Sequence, residues 1–234
     1  MGITIHYHAK NELAKSHARD ILSGKWRNAD PDEQAKEEEQ ARKDAKLIVP
    51  KIASTRSRAR NRFFRAIDHV EKRARELGWK FVGIDLTPKD ATEYRDKDGR
   101  QLSWRDYGGG VIQYFWLPDP GSECVELGLN VDTGEFVGGF TKTQYIRTDR
   151  LKKHVEICEV LSEVNTILGG ILEIHDEADY LPDRNIDAAG ESFGESDALI
   201  AAVGNAIRAA GWSDTQIVTG EQLASDAAED RDAA

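Results

Sequence analysis

The chain opens on a strict alternation. Ile3, Ile5 and Tyr7 are apolar or aromatic, and Thr4, His6 and His8 fall between them. That period predicts a half-buried strand with both imidazoles on its polar face. Leu13, Ala14, Ala18, Ile21 and Leu22 then form the stripe of a short helix over about 10–22, with Gly24 just past its end. From Pro31 to Lys46 nothing larger than alanine is apolar. This predicts a solvated helix carrying i,i+4 charge pairs, or a partly disordered segment. Leu47-Ile48-Val49-Pro50 interrupts it, and the proline ends or kinks the helix. Beyond it Phe63, Ile67, Val70, Ala74 and Leu77 recur at spacings of 4, 3, 4 and 3 up to Gly78, which predicts a helix with an arginine-rich opposite face.

After Gly78 the period turns to that of strands. Candidates are Trp79 to Leu86, a polar hairpin at 92–107 around Lys97-Asp98-Gly99, and an aromatic strand at 111–117. The clearest hairpin joins 124–131 to 135–143 through Asp132-Thr133-Gly134, with Gly134 suited to a left-handed position. Arg150 to Leu168 is apolar over more than half its circumference, so it reads as the central helix, stopped by Gly169-Gly170. A short strand is expected at 171–174, running into His175-Asp176-Glu177. A polar loop leads from there to a helix near 196–210 with Leu199, Val203, Ile207 and Ala210 as its stripe. The expected fold is α+β: a mixed or mainly antiparallel sheet packed against helices, in a single domain over 1–225. A charged helical hairpin is inserted at about 26–77 and a flexible acidic tail covers 226–234. There is no internal repeat.

Composition sharpens this picture. Of the 234 residues 32% are charged and 39% hydrophobic, so the core has to be confined to part of the chain. The net charge of −10 disfavours a general nucleic-acid binder. No apolar run approaches the ~18 residues of a membrane span, and the start lacks a signal-type stretch. A cytoplasmic protein with no membrane association is the expectation. Cys124 and Cys158 form no CxxC pair and read as buried reduced thiols.

Several residues are candidates for chemistry. His6 and His8 project to one side of a strand, and Asp176, Glu177 or His175 would complete a divalent transition-metal site if the 171–175 strand lies alongside. The alternative is a pair of surface histidines. No other cofactor is implied. His154 falls inside the apolar arc of its helix and needs a partner, for which Glu126, Lys142, Gln144 and Asp176 are candidates. His154, Lys142 and Asp176 are therefore the candidate catalytic residues. Lys142, Gln144 and Glu126 are candidate ligand contacts where a strand end opens toward a helix start. Lys142 is equally well read as an edge-strand lysine that blocks pairing with other chains. Gly108-Gly109-Gly110 lacks the Lys-Ser/Thr of a phosphate-binding loop, and no G-x-S-x-G elbow is present.

Lys51, Arg56, Arg58, Arg60, Arg62 and Arg65 place six cations within 15 residues. They form a positive patch for an acidic surface or a nucleic acid, or they pair with Glu37-Glu38-Glu39 if the two inserted helices fold back across Pro50.

Ile3-Thr4-Ile5-His6-Tyr7, Gly78-Trp79-Lys80, the hairpin from Glu126 to Gly134, Phe140-Thr141-Lys142-Thr143-Gln144-Tyr145, His154, and Asp176-Glu177 with Tyr180 together resemble an uncharacterised family of small prokaryotic α+β proteins. The likeness covers roughly 1–8 and 78–180. It implies an arrangement and no activity. This chain departs from the family between its first strand and Gly78, where about 70 residues replace a single short helix.

The leading expectation is a non-enzymatic interaction module that binds a protein partner or self-associates through the helices at 26–77, with Arg56, Arg60, Phe63 and Phe64 as contacts. The alternative is an enzyme or small-ligand binder, metal-dependent or not, with a polar pocket on the sheet face. Nucleic-acid binding through the 51–65 patch is a third reading.

Overall fold

The structure, a computed structural model, describes residues 3–25, 30–87, 110–146 and 148–209. The hairpin expected at 92–107, most of the triglycine connection and the tail at 226–234 lie outside these. The order is β1 (Thr4–Ala9), α1 (Glu12–Leu22), α2 (Pro31–Asp44), α3 (Arg56–Leu77), β2 (Lys80–Thr87), β3 (Val111–Leu117), β4 (Val125–Asn130), β5 (Phe136–Val137), β6 (Gly139–Lys142), α4 (Arg150–Leu168), β7 (Leu172–Asp176) and α5 (Ile186–Ala209). Among the described residues there are thus five helices and two antiparallel sheets, ordered β6-β1-β7 and β2-β3-β4-β5. The fold is α+β, and a mixed sheet is not what these strands form.

The hairpin around Gly134 forms as its turn residues dictate. Asn130 Oδ1 accepts the Asp132 and Thr133 N–H groups, each at 3.0 Å, and Gly134 takes φ 74°. Its second arm does not stay in one sheet. β5 pairs with β4, the chain steps across Gly138, and β6 pairs with β1. A Cβ built on Gly138 would stand 2.0 Å from the Tyr7 carbonyl oxygen, so only glycine allows this close crossing. The Tyr7 hydroxyl fastens the same junction by accepting the Glu126 N–H at 2.8 Å.

Ile3 just before β1, Ile5 and Tyr7 from β1, Val125, Leu127 and Leu129 from β4, and the apolar arc of α4 meet in one core. α3 belongs to it. Ala59, Phe63, Ala66, Val70 and Ala74 are all buried there, and Phe63 is fully enclosed. The expectation of a charged hairpin at 26–77 standing apart from the core is corrected accordingly. The periodic stripe of α3 needed a partner surface, and the sheet and α4 supply it. α2 is the charged part, and it lies against α1 through a small separate cluster of Ala18, Ile21 and Ala41. Glu38 and Glu39 pair within α2, with Arg42 and Lys43, and not across Pro50 with the arginines of α3.

α5 begins ten residues before the expected start of its helix. Asn185 Oδ1 caps it, accepting the Asp187 and Ala188 N–H groups, each at 3.1 Å. Gly190 and Gly194, expected as loop, are tolerated because Ala189 and Phe193 bury against the core. The expected stripe is displaced with it: Leu199 and Val203 are 41% and 50% exposed.

Candidate functional site

The three-stranded sheet presents two chemically different faces, because alternate residues of β1 and β7 point opposite ways. On the inner face Asp176, His154 and Thr143 form a hydrogen-bonded chain. His154 Nε2 lies 2.8 Å from Asp176 Oδ1, and its Nδ1 lies 2.8 Å from the Thr143 hydroxyl. His154 has the partner that its place on the helical wheel demanded. The partners are Asp176 and Thr143; Glu126, Lys142 and Gln144 do not reach it.

A hydroxyl, an imidazole and a carboxylate in this order have the connectivity of a nucleophilic triad. Here Thr143 and His154 are both fully buried, so no substrate reaches the hydroxyl. Asp176 is also saturated. Oδ1 accepts the Ala178 N–H at 2.8 Å, and Oδ2 accepts those of Tyr180 and Leu181 at 2.8 and 3.1 Å. Burial alone would raise the Asp176 carboxyl. The hydrogen bond and charge of His154, with the backbone donors, outweigh it and hold the group below the usual carboxylate range. The assembly ties α4, the end of β6 and the loop after β7 together. His154 and Asp176 are structural here, and the catalytic expectation for them is corrected by their enclosure.

Cys158 lies beside this pair, its Sγ 3.6 Å from His154 Nε2. Potential donor atoms of His154, Cys158 and Asp176 fall within 4.8 Å of one another. Burial, and then the Asp176 carboxylate, push the Cys158 thiol up. Both carboxylate oxygens already accept backbone hydrogens.

The outer face carries His6, His8, Glu173, His175 and Glu177. β1 and β7 pair so that His6 stands opposite His175 and His8 opposite Glu173. The His6 ring centroid is 6.5 Å from that of His8 and 6.2 Å from that of His175. Phe140, opposite His6 on β6, lies 6.0 Å away on the other side. Glu177 Oε1 is 3.4 Å from His6 Nε2, while its Oε2 accepts the Thr4 N–H at 2.8 Å. The expected grouping of His6 and His8 with Asp176 is corrected, since an even-numbered residue of β7 points into the core. His175 and Glu177, the other two residues offered for this role, do lie beside His6, and Glu173 joins them opposite His8. Reading the period of two through 171–176 would have shown this.

Two concavities flank this face and share His6. One, of about 620 Å³, is lined by His6, His8, Glu173 and His175 with Asn11, Leu13 and Ala14 of α1. The other, of about 740 Å³, runs toward α5 and includes His6, Phe140, Lys142, Glu177, Ser192 and Glu195. Lys142 therefore does line a groove. Its ammonium sits 3.7 Å from Glu123 Oε1 and over the Phe140 ring. Gln144 is not there: its Oε1 is buried with no hydrogen-bond partner. Glu126 packs over Gly139, away from both grooves.

Arg56, Arg60 and Phe64 meet around a third concavity of about 530 Å³ with Ser57, Asn61, Val131 and Asp132. Phe63, expected as a contact, is enclosed and unavailable. Arg62 belongs to the scaffold, donating to the carbonyls of Ile52 and Leu168 at 2.9 and 3.4 Å. Phe64 stacks edge-on against Tyr114 of β3, 6.4 Å between centroids. Tyr114 in turn stands opposite Ile84 of β2. Among the described residues β2 is the outermost strand of its sheet, and Phe81, Val82, Ile84 and Leu86 are each at least half exposed along it. The apolar face that α3 and α4 cover over β3 and β4 thus continues onto β2, where no described helix covers it. The exposure of β2 was not foreseen, because periodicity reads which face is apolar and not where the covering helices stop.

No family model matches this chain, and neither a curated protein nor a solved structure matches it. Among the described residues no helix is long and apolar enough to cross a membrane.

Proposed function

We propose that the chain is a non-enzymatic assembly module that pairs with a second copy of itself along β2. The observation that carries this reading is β2, outermost among the described strands, bearing Phe81, Val82, Ile84 and Leu86 at 50–60% exposure. An apolar strand edge is a template for another strand, and monomeric proteins usually blunt such edges with charge, proline or bulges; β2 keeps its apolar side chains exposed although a bulge interrupts it between Phe81 and Gly83. The β2 sequence Lys80-Phe81-Val82-Gly83-Ile84-Asp85 is charge-complementary to itself. Antiparallel pairing about the Val82–Gly83 bond sets Lys80 opposite Asp85 of the second copy, and Phe81 opposite Ile84. Phe64, with Arg56 and Arg60 beyond it, extends the surface past Tyr114.

Light scattering coupled to size exclusion tests this. The expected result is a dimer at tens of micromolar. Lys80→Glu or Asp85→Lys, each setting like charges opposite one another twice, converts it to monomer, and the double exchange restores the dimer. A monomeric wild type, or a dimer indifferent to all three variants, rules the reading out.

A small-ligand reading is favoured by one observation, the groove of about 740 Å³ beside α5. Glu177, Asp179 and Glu195 line it against the single ammonium of Lys142, so an amine suits it. Thermal shifts with a panel of small amines, lost in Glu195→Ala, would support it; no shift with any member discards it.

A further inference from the structure

We infer that His6, His8, Glu173 and His175 form a binding site for a zinc-class divalent cation on the outer face of the three-stranded sheet. The four side chains occupy the corners of one cross-strand square. His6 and His8 are two apart on β1, and His175 and Glu173 are their direct partners on β7. Three imidazoles and one carboxylate are a donor set that zinc takes in tetrahedral geometry. All four line the same concavity of about 620 Å³, walled on one side by Asn11, Leu13 and Ala14. The ion would therefore sit in a recess and not on an open plain.

The frame under the square is rigid in the sense that matters. β1 is the central strand, paired on both sides by β6 and β7, so the four Cβ positions are held by two ladders. Ring centroids at 6.2 and 6.5 Å must close until donor nitrogens are about 3.4 Å apart, the spacing set by bonds of ~2.1 Å in a tetrahedron. Rotation about the side-chain bonds has to close that gap when the ion binds. Glu177 supplies an independent indication. It is fixed by the Thr4 N–H and stands 3.4 Å from His6 Nε2. A carboxylate on one imidazole nitrogen is the usual device that orients the other nitrogen toward a metal. His6 would then bind through Nδ1.

The inference is independent of strand pairing at β2, which lies in the other sheet. Its test uses the full chain without a polyhistidine tag, stripped with chelator and titrated with zinc sulfate by calorimetry at pH 7.5. The expected result is one equivalent bound per chain with a higher melting temperature. His6→Ala and His175→Ala each weaken binding by about tenfold or more, and His69→Ala, on α3, leaves it unchanged. Cobalt(II) provides a second readout that does not depend on stability: the loaded wild type shows the intense visible bands of tetrahedral coordination, and His175→Ala loses them. Absence of saturable binding below about 1 mM, or binding that survives both His6→Ala and His175→Ala, overturns the site.

Discussion

His154 Nε2 and Asp176 Oδ1 stand 2.8 Å apart with both side chains wholly enclosed. The carboxylate accepts a hydrogen bond from His154 and three from backbone N–H groups. Removing one partner of such a pair leaves buried donors unsatisfied, and that loss is larger than the net worth of the bond. Asp176→Asn is expected to cost about 3 kcal/mol, read from urea midpoints at pH 7.

The same pair fixes a pH dependence. The Asp176 carboxyl is held below its ordinary value in the folded chain. Its contribution is therefore complete above the unfolded value of about 3.9 and lost as pH falls through the lower, folded value. The stability gap between the wild type and Asp176→Asn should narrow as pH falls below about 4. A gap that stays constant down to pH 2.5 would show that the anion contributes nothing.

Gly138 carries the crossing between the two sheets. A methyl group there meets the Tyr7 carbonyl at 2.0 Å and Phe136 Cε1 at 2.9 Å. Backbone must move, and overpacking of this kind costs about 1–3 kcal/mol. Gly138→Ala should lower the melting temperature clearly, whereas Gly194→Ala, with open space around its would-be Cβ, should not. Equal effects at the two positions would refute the close approach.

Phe63 and Phe64 are neighbours in sequence with opposite expectations. Phe63 is fully buried in the core, and Phe64 is only partly buried against it. Phe63→Ala should cost about 3–5 kcal/mol. Phe64→Ala should cost far less and should act on self-association. Chemical denaturation separates the two, and a small loss at Phe63 would return α3 to the periphery.

The elements of this fold follow from local pattern wherever one face is apolar. The alternation in β1, the stripe of α3, the turn at Asn130–Gly134 and the arc of α4 with His154 inside it were all legible. What local pattern does not carry is which element meets which. The stretch 135–143 reads as one hairpin arm, yet the chain changes sheets at Gly138, where it meets Tyr7, a contact 131 positions away in sequence. The charged composition of 31–46 suggested that the neighbouring α3 was peripheral too, although the apolar stripe of α3 already called for a partner. On the outer sheet face the two β1 histidines were legible, but His175 and Glu173 join them only through the strand register.

Cys158 and Cys124 provide the last contrast. Both are free, Cys158 buried and Cys124 partly so. Burial raises both thiols, and acidic neighbours add to it, Asp176 at Cys158 and Glu126 with Glu123 at Cys124. Reaction with a disulfide reagent requires the thiolate and access to it. In native protein Cys158 should therefore react only as fast as the core opens, and Cys124 slowly but measurably. In Cys124→Ser labelled at pH 8, the rate should follow unfolding and rise steeply with denaturant, while Cys158→Ser should label without it. Rapid native labelling of Cys124→Ser would mean that solvent reaches Sγ, and with it His154 and Asp176. The enclosure that makes this pair structural would then be wrong.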